Sequence, residues 1–511
     1  MKKLILFTLS VGCAYFSQAQ KLGTADSSYG NAGSLILDQG NAAYQEIITG
    51  STKGSQGDMY LCGYYAALSF DALITHVNAD GSPDANFGNQ GTVISDLTLG
   101  GNELPMDIIR SNDGKLFVTG YYAGANDYDV FVMKMNADGS FDESFGIGGV
   151  ALFDFGADDE ARKVAVRPDG KIVIAGHTDA GGDQDFFLLL LNADASKVLS
   201  FGDQGLLKIG FSTNTDHLTD LVVDATNAMY VGGRTVGANT SLAIAKVKAL
   251  GILDQVFGQS GRFTFIDGTN NTYLNDLKLD AAGKLVGVGY VSGGINNDIF
   301  IFRLNTNGTF DNTFDTDGRR IFGLKIGNPG AERLYGLDLQ SDGKIIACGT
   351  YLENGINSVM YIRFQDNGKS DPGFGGQYGF VLIPDATFKT ALFSHIHVIS
   401  NERAVIVGRT QKASFDALLY AVHTTEPFPA GLGTIEVSTL RVFPNPARES
   451  IHVADLAEPI SLTLYSMDGQ VVYTWTKGET QLGLPATLSP GMYLLRGNGA
   501  ETVYQTRVMI H

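Results

Sequence analysis

The chain has 511 residues, of which 18% are charged, with 64 glycines and a formal net charge of −18 at neutral pH. That length exceeds what one compact core organises, and the glycine content favours short strands and tight turns over long helices. An acidic balance of this size repels a phosphate backbone, which excludes nucleic acid as a partner.

In chain order, Lys2 and Lys3 precede an apolar run from Leu4 to Phe16, and Ser17-Gln18-Ala19 places small residues before a cut at Gln20. The pattern predicts a secretory signal peptide over residues 1–19. The run is too short to span a bilayer, and no later stretch approaches the ~20 apolar residues of a transmembrane helix. Cys13 follows Ser10-Val11-Gly12 without the leucine of a lipoprotein acceptor site, so export without lipidation is expected.

A Phe-Gly step then recurs at Tyr29-Gly30, Phe87-Gly88, Phe145-Gly146, Phe201-Gly202, Phe257-Gly258, Phe314-Asp315 and Phe374-Gly375, spaced by 56 to 60 residues. A period of this length means one supersecondary unit repeated, each copy burying the apolar face of its neighbour. The third copy shows the unit. Lys163 to Arg167 alternates as a strand, Pro168-Asp169-Gly170 turns it, and Lys171 to Gly176 returns. A glycine-rich loop leads to Asp185 and a third strand over Phe186 to Leu191, and a fourth strand follows Gly205. Four short antiparallel strands per ~57 residues make a propeller blade.

The glycine ending the second strand recurs at Gly63, Gly120, Gly176, Gly233, Gly289, Gly349 and Gly408, which gives seven hairpins. The seventh copy stops near His423 without a fourth strand, while Tyr29-Gly30 with Ser34 to Asp38 stands alone at the other end. The N-terminal strand is therefore expected to complete the last blade and remove both open sheet edges. Cys62 and Cys348 occupy the same slot of different copies, just before the recurrent glycine, so each is expected to be buried and unpaired.

The succession Asp-Gly-Lys, an apolar triplet, a loop, Asp before a strand, then Asn-x-Asp-Gly-Ser-x-Asp-x-x-Phe-Gly is fullest over Asp113–Gly146 and Asp342–Gly375. It resembles the delta-60 repeat family over residues 22–424. The fourth copy departs most, with Thr226-Asn227-Ala228 at the turn and Ser241 before its third strand. The resemblance implies a propeller without a settled activity.

The stretch Thr424 to Gly431, with Pro427 and Pro429, breaks the repeat and reads as a linker over 425–439. Beyond it, Val442-Phe443-Pro444-Asn445-Pro446-Ala447 is followed by a strand over Ile460 to Met467, a bend at Asp468-Gly469, and Leu488-Ser489-Pro490-Gly491-Met492-Tyr493-Leu494. A small Ig-like β-sandwich is expected over 440–511. Those motifs, in that order, resemble the type A sorting domain of the type IX secretion system of Bacteroidota. The resemblance implies delivery to the outer-membrane surface or the medium, with residues 440–511 engaging the secretion machinery. The whole is thus an all-β chain: signal peptide 1–19, seven-bladed propeller 20–424, linker, and sandwich, with a monomer expected.

Candidate chemistry falls on columns of the repeat. Asp71, Asp129, Asp185, Asp298 and Asp416 precede the third strand, with Ser241 and Ser358 in the other copies, a substitution that fits turn capping. Asn136-Ala137-Asp138-Gly139-Ser140-Phe141-Asp142 alternates oxygen-bearing residues as a calcium loop does but lacks the later Glu; an Asx turn is expected, with structural calcium the alternative and no other cofactor. His395 and His397 share one strand face and could share a metal, although the sequence assigns no third ligand. Thirteen residues before each hairpin glycine stand Asp107, Lys163, Asp220, Asp276, Gly336 and His395, with Glu46 taken as the first copy's equivalent across a longer turn. With the first strand innermost, these face the axis. The residue after each hairpin glycine is Tyr64, Tyr121, His177, Arg234, Tyr290, Thr350 or Arg409, side chains typical of recognition surfaces.

Two functions compete on these grounds. The first is a non-catalytic surface module that binds an extracellular glycan or protein at Tyr64, Tyr121, His177, Arg234, Tyr290 and Arg409, with Asp107, Asp220 and Asp276 near the axis. The alternative is a polysaccharide-degrading hydrolase or lyase that uses the axial carboxylates.

Overall fold

The computed structural model describes residues 22–424 and 436–510, apart from short segments at 39–43, 68, 98–100, 125, 181, 212–214, 294–295, 325–329, 354, 376–377, 385–386, 389, 412–414, 455–460, 467–470, 476–477, 486–487 and 499–501. The signal peptide, the centre of the linker and the Asp468-Gly469 bend lie outside the described residues. Residues 20–427 form one compact unit and 428–511 another.

Seven four-stranded antiparallel sheets make up the first unit. Numbered along the chain, blade 1 runs Gln45–Lys53, Met59–Ala66, Phe70–Val77, Thr92–Ser95, and blade 2 runs Glu103–Arg110, Leu116–Ala123, Tyr128–Met135, Val150–Phe153. Blades 3 to 6 begin at Asp159, Thr215, Asn271 and Ala331 in the same order. Blade 7 is built from Leu392–Ser400, Arg403–Gln411, Phe415–His423 and, from the other end of the chain, Ser34–Leu37. The register of that last pair runs Ser34 opposite Tyr420 to Leu37 opposite Ala417. Each first strand packs against the first strand of the next blade, and that of blade 7 against that of blade 1, so the ring is closed and the first strands are innermost.

Two recurrent glycines have separate causes. In the Phe-Gly step the aromatic ring is fully buried between blades, and the following residue adopts φ of 53–63° at the six glycines and 49° at Asp315. That left-handed conformation aims its N–H at a carbonyl in the Asx turn of the next blade: Gly88 to Asp138, Gly258 to Asn307, Asp315 to Asn367, at 2.6–2.9 Å. The last of these latches, Gly375 N–H to the Leu22 carbonyl at 3.2 Å, lands on the N-terminal segment and helps close the ring. The hairpin glycine answers a bulge. Every inner strand carries one extra residue (Thr49, Met106, Arg162, Thr219, Asn275, Tyr335, Ser394), which drives a carbonyl against the second strand where a Cβ would overlap it.

Cys62 and Cys348 are buried and free, as the slot requires. The Asx turns hold themselves: Asp138 Oδ1 accepts the Ser140 N–H at 3.0 Å and its hydroxyl at 2.7 Å.

The second unit has a five-stranded sheet in the order Glu436–Thr439, Thr502–Ile510, Gly491–Asn498, Leu462–Ser466, Val471–Trp475, and a three-stranded one of Arg441–Phe443, Ser450–Ala454, Gln481–Gly483. Leu440, Ile451, Leu464, Trp475, Leu482, Leu495 and Val508 form its core. The linker expected over 425–439 is too long, because Glu436–Thr439 is already a strand, parallel to Thr502–Gln505.

Candidate functional site

The axial column differs from its sequence expectation in two ways. Pairing places Gly50 opposite Cys62 as Asp107 stands opposite Thr119, so the blade 1 equivalent is Gly50, and Glu46 belongs four residues earlier. The column also does not point freely into the channel. Its three aspartates turn onto the next blade's inner strand: Asp107 Oδ2 accepts the Val164 N–H at 3.0 Å, Asp220 Oδ2 that of Leu277 at 2.7 Å, and Asp276 Oδ2 that of Leu337 at 2.7 Å. At Gly50 a Cβ would stand 2.7 Å from the Asp107 Cα, and no larger residue fits. Lys163 lies between Asp107 (3.9 Å) and Asp220 (3.5 Å). Burial opposes its charge, but Asp107, Asp220 and Asp276 more than offset that and hold the ammonium protonated. These carboxylates join blades and are already engaged.

His397 Nε2 meets the Ser51 hydroxyl at 2.8 Å, and His395 Nδ1 meets that of Ser394 at 3.0 Å. Burial keeps both imidazoles neutral, His397 near 3 and His395 well below its ordinary value.

The second-strand exits open on the face where the inner strands begin, and there the structure adds residues that sequence reasoning missed. Opposite Tyr64, Tyr121, His177, Arg234, Tyr290, Thr350 and Arg409 stand Ile47, Leu104, Glu160, His217, Tyr273, Arg333 and Leu392. That column lies sixteen residues before each hairpin glycine and was visible as a period. Its contrast is lopsided: apolar in blades 7, 1 and 2, polar or aromatic in blades 3 to 6.

Contacts across blade boundaries knit the polar sector together. Arg162 lies over the Tyr121 ring at 5.5 Å, His177 and His217 meet edge to face at 5.2 Å, and Arg333 covers Tyr290 at 4.8 Å; within blade 5, Tyr273 stacks on Tyr290 at 4.5 Å. Glu160 pairs with Arg162 and lies 3.4 Å from His177 Nε2. Arg234 forms no ion pair among the described residues, and its charge reaches His177, His217 and Tyr290. Burial, reinforced by Arg234 and His177, lowers His217 to about 4. The tyrosines are half-buried rather than free, so they serve as packed floor as well as exposed surface. The opposite face, with the Asp-Gly turns, holds a depression of about 830 Å³ lined by residues such as Arg110, Arg167, Val222 and Lys278.

A closed seven-bladed propeller with one cationic, aromatic sector is the object these residues define. Its repeats match the model of the DUF5122 β-propeller family at residues 111–145, 167–197, 283–314 and 340–374, and residues 441–511 match the secretion system C-terminal sorting domain. These matches make the repeats similar to a delta-60-type propeller, and the C-terminal sorting domain indicates export through the type IX secretion system to the cell surface or the medium. No curated protein sequence matches it. Among solved structures it is similar to the polysaccharide lyase Uly1 (TM-score 0.44, 11% identity, 81% of this chain and 94% of that one). It is also similar to the β-propeller domain of the Trilobed protease from Pyrococcus furiosus (0.38, 11%, 75% and 98%). A third is PorZ, a surface component of the type IX secretion system of Porphyromonas gingivalis (0.23, 10%, 91% and 81%). Among the described residues, no helix is long and apolar enough to cross a membrane.

Proposed function

We propose that the protein is a binding module that captures an anionic extracellular polysaccharide on the rim of blades 3 to 6. The observation that carries this is the concentration of Arg162, Arg234 and Arg333 around tyrosine faces, with Arg234 in no ion pair among the described residues, in a chain of net charge −18. Guanidinium groups pair with carboxylate or sulfate, while tyrosine faces support sugar rings. The engagement of Asp107, Asp220 and Asp276 with neighbouring strands supports a non-catalytic role, since it removes the axial carboxylates as an acid–base pair.

Calorimetric titration with polyuronate oligosaccharides and with neutral glucans tests this. Binding is expected for the polyuronate alone and should weaken with added salt. Arg234→Ala should cost about 1–3 kcal/mol of affinity with little change in melting temperature, and Tyr290→Ala a similar affinity plus some stability, since Tyr273 and Arg333 pack on it. Equal binding of neutral and anionic glycans would remove the proposal.

One observation favours a second reading. His177 and His217 are neutral imidazoles beside a free guanidinium, the groups needed to take the proton next to a neutralised uronate carboxylate and expel the glycosidic oxygen. Ultraviolet absorbance of an unsaturated uronate product in the same titrations would convert the binding module into a lyase.

A further inference from the structure

Three positions recur at the junctions between blades: the start of one blade's third strand, the residue just after its fourth strand, and the start of the next inner strand. At three junctions all are acids: Asp416, Asp38 and Glu46; Asp71, Asp96 and Glu103; Asp129, Asp154 and Asp159. Where the third strand opens with Ser241 or Ser358, the next inner strand opens with Thr272 or Ala391, and no acid remains in the set. A carboxylate that only caps its own turn has no reason to vary with a residue of the following blade. The covariation within this one chain points to a shared charge partner.

The junction of blades 2 and 3 shows the geometry. One carboxylate oxygen from each of Asp129, Asp154 and Asp159 lies within 4.8 Å of the others. Asp129 is 8% exposed and Asp159 is fully buried. Asp159 Oδ2 accepts the Phe155 N–H at 2.6 Å and Asp154 Oδ1 that of Gly156 at 2.6 Å. Asp129 Oδ1 and Asp159 Oδ1 are then left buried without a hydrogen-bond partner. The hydroxyls of Tyr122 and Thr178 interact with the Asp129 and Asp159 carboxyls, and among the described residues no Lys or Arg ion-pairs with any of the three acids. Three converging carboxylates with two buried orphan oxygens are an unfavourable arrangement by themselves. Oxygen-only donors of this charge suit a hard divalent cation whose remaining ligands are waters or carbonyls. We propose that Asp129, Asp154 and Asp159 hold a divalent cation of the calcium class between blades 2 and 3, and that Asp38, Glu46 and Asp416, which also each bring one carboxylate oxygen within 4.8 Å of the others, hold another between blades 7 and 1.

The test uses the full mature chain, stripped with chelator and then dialysed against calcium chloride. Elemental analysis should find two calcium ions per chain, and the melting temperature should rise by about 5 °C or more over the stripped protein. Asp154→Asn, at an exposed position, should fold normally, melt with the wild type when stripped, and hold one ion. Asp129→Ser with Asp159→Thr copies the Ser241/Thr272 junction; it should also hold one ion and melt no lower than the wild type when stripped. Absence of bound calcium, an unchanged melting temperature on its addition, or two ions retained by Asp154→Asn would overturn the proposal. A stripped protein stabilised by mild acid and indifferent to calcium would mean that the carboxyls share protons.

Discussion

Deletion of Asp26–Asp38 is expected to leave no soluble folded monomer. That segment carries the strand that completes blade 7, and Tyr29, which is fully buried among Val405, Leu419 and Met59. Leu37 is buried and Leu35 and Ile36 are partly so. Burial of such side chains contributes roughly 1.5–3 kcal/mol each, on the order of 5–10 kcal/mol together, against a net stability of about 5–15 kcal/mol for a folded domain. Asp26 also accepts from Arg403 Nε at 2.6 Å, and Arg403 Nη1 donates to the Ala79 carbonyl at 2.9 Å, so one guanidinium ties the N-terminal segment, blade 7 and blade 1. Without the segment, Phe415–His423 becomes an apolar edge strand open to pairing with another molecule. Size-exclusion chromatography and a thermal melt read the outcome, with Tyr29→Ala as a milder control expected to cost about 3–5 kcal/mol. A deleted protein that melts with the mature chain would mean the ring does not depend on this closure.

Truncation after Thr424 is expected to change destination without changing the propeller. Thr424 is buried, donates its N–H to the Glu402 carbonyl at 2.9 Å and its hydroxyl to that of Asn401 at 2.7 Å, so blade 7 is complete there. In a host with type IX secretion, the truncated chain should accumulate in the periplasm and melt like the propeller of the full protein. The full chain should reach the surface or the medium. Fractionation followed by immunodetection checks it, and equal surface delivery of both would remove the tail's assigned role.

The blades were legible in the sequence because each depends on local chemistry repeated seven times. The Phe-Gly step announces a buried ring and a left-handed backbone, and the orphan Tyr29-Gly30 announces the closing strand. What the chain hid was register. The extra residue in each inner strand, such as Met106 or Asn275, is unremarkable in sequence, yet it decides which neighbours face the rim and which face the next blade. Hence spacing alone puts Glu46 four positions from the true equivalent of Asp107 and turns Asp107, Asp220 and Asp276 toward the axis as free side chains. Their partners, the N–H groups of Val164, Leu277 and Leu337, lie about a repeat away, where no local pattern points. The column of Glu160, His217, Tyr273 and Arg333 was periodic in sequence but has meaning only once paired with His177, Arg234 and Tyr290 across the bulge. The acid sets at the junctions were half visible, since the Asp/Ser alternation before the third strand was plain while its partners across the junction were not.

The central claim is that ligand binds where inner strands begin and second strands end, in the sector of blades 3 to 6. Amide hydrogen exchange with and without a polyuronate oligosaccharide tests it most directly. The account predicts slowed exchange at residues 159–162, 215–219, 271–275 and 333–335, and none at the Asp-Gly turns. Protection confined to residues 109–114, 165–170 and 222–225, around the depression on the opposite face, would contradict it.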